Sequence, residues 1–249
     1  MHEAACDIGV MVMTILYTKL ARAYHEMYQS IFDYKSDFRF YDGVLKSYGC
    51  SSILEIGCGS GNLASYFKNA GYQYTGLDMS VEMLEIAREI NEGTEFVNGD
   101  MRSLDFIREF DSVIITGRSF TYMISNKDVL AALDSVHRNL KKEGILVFDN
   151  FNAENIFLNF KEEFDNQYEF ESRKYRRISK SSMNLETGWT WNWEATYHIQ
   201  EEGKTDKVFY DKAVLRAFTE DELEIFLTLS NFKVKEIMKV GRFAAVAEK

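Results

Sequence analysis

No proline occurs in the 249 residues of this chain, where average usage of about 5% would supply roughly a dozen. Composition offers no physical reason for the absence, and its value is as negative evidence. Cysteine is scarce too: Cys6, Cys50 and Cys58 are an odd number in no CxxC arrangement. They exclude a disulfide framework and a zinc site, and they point to a reducing compartment, the cytoplasm. Basic residues are outnumbered, 29 to 39, for a formal charge of −10. Such a balance repels nucleic acid and anionic membranes. The apolar run at 8–17 is too short to span a bilayer, and no Lys or Arg precedes it as a signal peptide would require. It reads as the start of a docked helix, with Met11 and Met13 as alternative starting residues. Apolar residues are not lacking. At 46% they support a sizeable core, and the length suits one domain with an insertion.

From residue 53 onward, short apolar runs alternate with amphipathic segments. Strands are expected at 53–56, 72–77, 94–97, 112–116 and 145–148, with helices at 62–70, 80–90 and 127–140. Ser80 is a good helix N-cap, and Ser125 with Asp128 has capping-box spacing. Alternation of this kind means a mostly parallel, doubly wound sheet covered on both faces. It breaks after Asn150. At 189–199 the chain reads WTWNWEATYHI, with Trp189, Trp191, Trp193, Ala195, Tyr197 and Ile199 alternating with polar residues. That is a period of two, a strand with one buried face. Segments 168–179 and 206–218 read as its antiparallel neighbours, so a small sheet is inserted into the α/β domain. The tryptophan face is expected to seal that sheet against the main domain. A helix at 220–229 and strands at 232–240 and 243–247 resume the main pattern.

The stretch ILEIGCGSGN places Gly57, Gly59 and Gly61 just after the first strand. A glycine there lets the backbone turn sharply and approach a ligand. The spacing is G-x-G-x-G, and Asn62 stands where the nicotinamide fingerprint would have its third glycine. Glu55 precedes the turn, where a carboxylate suits a ligand carrying an ammonium better than a pyrophosphate. Asp78 ends the second strand and can accept both hydroxyls of a ribose. Asp100 follows the third strand. Three acids at the C-terminal ends of successive strands share the crevice where doubly wound sheets bind ligands.

In the order and spacing of these motifs, E-x-G-x-G-x-G, GLDMS and GDM, the chain resembles class I S-adenosylmethionine-dependent methyltransferases. The resemblance implies the Rossmann-like α/β fold, a seven-stranded sheet with an inserted antiparallel β-sheet lid. It divides the chain into a helical cap at 1–45, a cofactor domain at 46–160 and 218–249, and the lid at 161–217. S-adenosylmethionine is the implied cofactor. Glu55 would face its amino-acid end through the loop, with Thr116 near the ammonium. Gly57, Gly59 and Gly61 would admit the backbone. Asp78 would hold the ribose, Met79 would pack on adenine, and Asp100 would take the adenine amino group. Tyr24 and Met101 complete the implied cofactor set.

DNA methyltransferases acting on base amino groups resemble one another in a Pro-Pro motif after the fourth strand, and cytosine-C5 enzymes in a Pro-Cys pair. This chain has TGRSFTY there and no proline at all. YTKLARAYHEMY, SFTY, AENIF and YRRISKSS are similar instead to the N,N-dimethyltransferases of nucleotide-linked amino sugars. A small-molecule amine is therefore the expected acceptor; oxygen acceptors, protein tails, a dehydrogenase and a non-catalytic cofactor-binding module stand as alternatives. Tyr122 and Tyr17 are the expected catalytic pair that orients the amine. An unperturbed phenol, with pKa about 10, is a poor base. Ser119 and Phe151 join the acceptor side. Arg118, Arg177 and Arg242 are candidates to grip a substrate phosphate, since arginine recognises phosphate bidentately. On a strand, Arg177 shares a face with Arg173, Tyr175 and Ser179. The protein is expected to be a monomer or homodimer with no membrane or nucleic-acid partner.

Overall fold

The computed structural model describes residues 14–107, 109–239 and 241–249. Most of the expected first helix, 8–13, therefore lies outside the described residues. Ile15–Tyr17 form one 3-10 turn, and two helices follow, α1 (Ala21–Ile31) and α2 (Tyr34–Ser47). The alternating half comprises β1 (Ser52–Ile56), α3 (Ala64–Asn69), β2 (Gln73–Asp78), α4 (Val81–Ile90), β3 (Glu95–Asn98), β4 (Phe110–Ile115), α5 (Asn126–Asn139), β5 (Leu140–Asp149) and α6 (Ala153–Leu158). Then come β6 (Glu163–Phe170), β7 (Arg173–Met183), β8 (Thr190–Glu201), β9 (Lys207–Arg216), α7 (Glu220–Leu229), β10 (Lys233–Met238) and β11 (Ala244–Glu248).

Seven strands form one sheet in the order β10-β11-β5-β4-β1-β2-β3. Only β11 runs antiparallel to its neighbours. Successive side chains on a strand point to opposite faces, and both faces are buried here. Ile53 of β1 packs with Tyr41 and Leu45 of α2 and Phe67 of α3; Leu54 packs with Val129 and Leu133 of α5 and Leu227 of α7. Because β1 pairs in parallel with β2 on one side and β4 on the other, the strand order reverses there. A crevice opens at such a switch point, at the C-terminal ends of the strands. Ser80 is an N-cap as expected, its hydroxyl accepting the Met83 N–H. Ser125 accepts the Asp128 N–H but Asp128 turns to the Ser125 hydroxyl, so the reciprocal box expected there is not formed, whereas Thr219 and Glu222 cap α7 reciprocally.

The inserted sheet is antiparallel in the order β6-β7-β8-β9. The single strand expected at 168–179 is in fact a hairpin. Glu171 adopts a left-handed φ of 52° and turns the chain between Phe170 and Arg173. Ser172 is the one turn-favouring residue there, and it is a weak signal beside the glycine or asparagine that a left-handed φ prefers. The tryptophan face is also shared differently. Trp191 does seal the sheet against Phe151 and Phe157. The centre of the face, Tyr175, Ala195 and Tyr197, is instead closed by Leu20, Ala23 and Met27 from the N-terminal segment. Trp189 is 39% exposed.

Candidate active site

Gly57, Gly59 and Gly61 all take left-handed φ values, 71°, 53° and 73°. Two of them are also sterically obligatory. A Cβ on Gly57 would lie 2.0 Å from the Ser119 Oγ, and one on Gly61 would lie 2.9 Å from Asn91 Nδ2. The loop thus turns tightly over the end of β2, where Gly57 and Cys58 donate to the Leu77 carbonyl. Above it lies a pocket walled by Tyr17, Tyr24, Gly57, Gly59, Asp78, Met79, Met83, Gly99, Met101, Ser119 and Tyr122. Asp78 accepts the N–H groups of Gly59 (2.9 Å) and Ser80 (2.8 Å), and burial pushes its pKa up. An acceptor-only carboxylate beside bare glycine backbone, with tyrosine and methionine walls, fits a nucleoside carrying a diol and a flat base.

Not every expected cofactor residue stands in that wall. Glu55 lies beneath it, accepting from Tyr74 Oη at 2.6 Å and Thr116 Oγ1 at 2.7 Å. Burial pushes its pKa up to about 7. Thr116, committed to Glu55 by its hydroxyl, uses its carbonyl to hold the Ser119 N–H and Oγ. The acid therefore supports Ser119, and Ser119 is the side chain against Gly57. The Cβ position of Gly61 faces Ala87, Asn91 and Phe96. Asp100 is held by Arg102, which bonds to it through Nε and Nη2 and also reaches Asp128. Its chain neighbours Gly99 and Met101 line the pocket instead.

α1 roofs the pocket. His25 Nδ1 and Ser60 Oγ are 2.9 Å apart, Gln29 Nε2 donates to Asn62 Oδ1 at 2.8 Å, and Ser80 Oγ donates to the Tyr17 carbonyl. Across the pocket, the 3-10 turn Ser119–Tyr122 presents Tyr122. The Tyr17 and Tyr122 hydroxyls, distant in sequence, are 2.8 Å apart. Burial pushes both phenols up. Tyr24 stacks on Tyr28 at 3.9 Å between ring centroids. Tyr28 and Met83 were missed by the sequence reading; Tyr17, Tyr24 and Tyr28 fall at helical spacing and could have been grouped.

Arg118, Phe151 and Arg242 line a second cavity, which meets the first at Gly117. Arg118 has a left-handed φ of 59° and lies over the Phe151 ring at 4.8 Å. Arg242 is saturated: it pairs with Asp37 and with Asp149 (3.3 Å) and lies over Phe40. Arg177 belongs to neither cavity wall. It sits on β7, where the inserted sheet faces the Tyr24–Tyr28 stack.

Residues 53–144 match the family model of a methyltransferase domain. The Bacillus subtilis protein YqeM is 38% identical over 101 residues, 39% of this chain and 41% of that one. The dTDP-3-amino-3,4,6-trideoxy-α-D-glucopyranose N,N-dimethyltransferase of Streptomyces venezuelae is 24% identical over 74% of this chain and 76% of its own. The chain spans less than half the length of the first curated relatives it matches, 41% and 47%. The sugar N-methyltransferase KedS8 of Streptoalloteichus superposes with a TM-score of 0.79 at 20% identity, over 100% of this chain and 98% of the other. At that identity the likeness speaks for the fold. Residues 53–144 are thus similar to a methyltransferase domain, and the whole chain shares its fold with the sugar N-methyltransferase KedS8.

Proposed function

We propose that the protein is an S-adenosylmethionine-dependent methyltransferase acting at an amine nitrogen of a small molecule. The observation that carries this reading is the Tyr17–Tyr122 hydroxyl pair, set in the wall of the glycine-loop pocket under α1. Bound there, the cofactor supplies a methyl group already activated on a sulfonium. Gly57 and Gly59 would admit it, Asp78 would accept its hydroxyls, and Tyr24, Met79 and Met101 would pack against it.

The remaining work is alignment and exclusion of water, and positioning of this kind can be worth about 7–11 kcal/mol. The two hydroxyl oxygens accept N–H bonds and aim the nitrogen. Neither phenol removes a proton near neutral pH, because burial holds both protonated. The amine therefore binds as the free base, and the surplus proton leaves with the methylated product. An oxygen acceptor would need a base. Among the described wall residues the one carboxylate, Asp78, holds the Gly59 and Ser80 N–H groups and is assigned to the cofactor's hydroxyls, which leaves no base for an oxygen acceptor. The roof formed by α1 and the inserted sheet favours a small acceptor over a protein tail. The Streptomyces relative acts on a dTDP-linked amino sugar by its name, and we place amino sugars first among acceptors.

The test is label transfer from methyl-labelled S-adenosylmethionine to amino sugars, simple amines and hydroxylated analogues. Transfer to an amine, slowed about tenfold or more in Tyr122→Phe with unchanged S-adenosylhomocysteine binding, is the expected result. Transfer to hydroxyl groups alone would overturn the amine reading.

A further inference from the structure

The 3-10 turn Ser119–Tyr122 does not hold itself. It is four residues long, it departs from Arg118 at a left-handed φ of 59°, and no side chain caps it. Hydrogen bonds in 3-10 helices are poorly aligned, and a left-handed residue other than glycine is strained. Something outside must fix the turn before the Tyr122 hydroxyl can stand 2.8 Å from that of Tyr17.

Arg216, the last residue of β9 and so of the inserted sheet, grips the chain on both sides of Tyr122. Its carbonyl accepts the Thr121 hydroxyl at 2.7 Å, and its Nη1 donates to the Ile124 carbonyl at 3.1 Å. The Thr187 hydroxyl, between β7 and β8, reaches that same carbonyl at 3.0 Å. Arg216 is 1% exposed. Among the described residues it pairs with one carboxylate, Glu222 at 3.3 Å, and its Nε meets no acceptor. Its guanidinium lies over the Phe218 ring at 4.7 Å and the Phe226 ring at 5.4 Å. Gly188 keeps the space open: a Cβ there would come 3.2 Å from Nη2. Burying a cation so sparsely paired is unfavourable, and an apolar side chain of similar length would fill the slot with less desolvation. What arginine adds is its planar fork, with arms that reach Ile124 and Glu222 at once.

We infer that Arg216 is a positioning residue, which holds Tyr122 in place against Tyr17 and so couples the inserted sheet to the hydroxyl pair. Its effect on transfer rests on the amine reading above. A displacement of about 1 Å can slow a reaction about a hundredfold, and either anchor, once cut, lets the Tyr122 hydroxyl drift.

The experiment is fluorine NMR of the full chain, saturated with S-adenosylhomocysteine and carrying 3-fluorotyrosine in place of Tyr122. Tyr17→Phe removes the partner hydroxyl and supplies the resonance of a disengaged Tyr122. Arg216→Met shifts the parent resonance towards that position or broadens it. Glu222, 26% exposed and bonded to the Thr219 N–H, is not stranded by this change. Arg216→Lys, with one ammonium for two partners, shifts it less. Thr121→Val leaves the guanidinium in place and cuts the other anchor; it shifts the resonance too, and it decides the matter if Arg216→Met does not fold. In the amine assay, Arg216→Met lowers kcat about tenfold or more with KM unchanged. Added to Tyr122→Phe it slows transfer by less than about twofold further, because both act through one hydroxyl. A lower melting point with the parent resonance unmoved in both variants would make Arg216 a packing residue and overturn the proposal, as would rate effects that multiply with Tyr122→Phe. An unchanged rate in Tyr122→Phe alone overturns the amine reading, while the fluorine shift still reports whether Arg216 places Tyr122.

Discussion

Glu55 shows what a single residue can hide from sequence reading. The motif locates it beside the glycine turn, and resemblance assigns it to the ligand. Strand alternation puts its side chain on the face of β1 that holds Ile53, beneath the loop, where it braces Thr116 and through it Ser119. Its pKa is raised from an ordinary 4.5 to about 7 by burial. The folded state therefore holds the proton more tightly than the unfolded one. Its stabilising effect is full below pH 4.5 and is lost as pH rises through 7, by about 3 kcal/mol. Urea unfolding at pH 5 to 8 should show that decline, and Glu55→Gln should flatten it; an unaltered slope in the variant would refute the assignment. The hydroxyl pair makes a second residue-scale prediction. With no base in the described wall, the rising limb of kcat/KM against pH belongs to the amine. Two acceptors of different basicity should show limbs displaced by the difference in their own pKa values. A limb fixed at one pH for both would instead reveal a titrating side chain of the protein.

α1 is the element on which both halves depend. Its Glu26 side chain, buried, receives Arg173 and the Tyr175 hydroxyl from the inserted sheet. Beside it and one turn on, His25 and Gln29 reach Ser60 and Asn62 of the glycine loop. Just before the helix, Asp211 of β9 accepts the N–H groups of Ile15 (2.9 Å) and Leu16 (3.0 Å). Glu26→Gln removes the charge that holds Arg173. Amide exchange across 21–31 should accelerate about tenfold, with β1 and β4 unaffected; equal acceleration in the central strands would mean global destabilisation instead. None of these cross-links was legible. Each joins residues far apart in sequence, and no local periodicity encodes them. The elements themselves were legible, because the change from a 3.6-residue to a two-residue period is a local property. The missed hairpin at Glu171 lacks any of the residues that favour a left-handed φ.

At the scale of the whole molecule, the parallel sheet followed from alternation and the inserted sheet from the break in it. The charge of −10 acts over the entire surface. Retention on immobilised duplex DNA should be absent even at low salt, where electrostatic binding is strongest; retention would expose a basic face. The inserted sheet departs and returns at nearly one point. Asn152 bridges Phe218, and the Phe218 N–H donates to the Phe151 carbonyl at 3.1 Å. Strands 163–216 thus leave and rejoin the cofactor fold side by side, as an exchangeable cassette would, with Thr121 and Ile124 holding Arg216 and Thr187 close by. Yet Glu26 and Asp211 tie that cassette to the segment at the other end of the chain. A chimaera that borrows the sheet alone inherits a roof cut for another protein. If the proposed acceptor site is right, 14–31 and 163–216 should change acceptor only when transplanted as a pair, although more than a hundred residues lie between them.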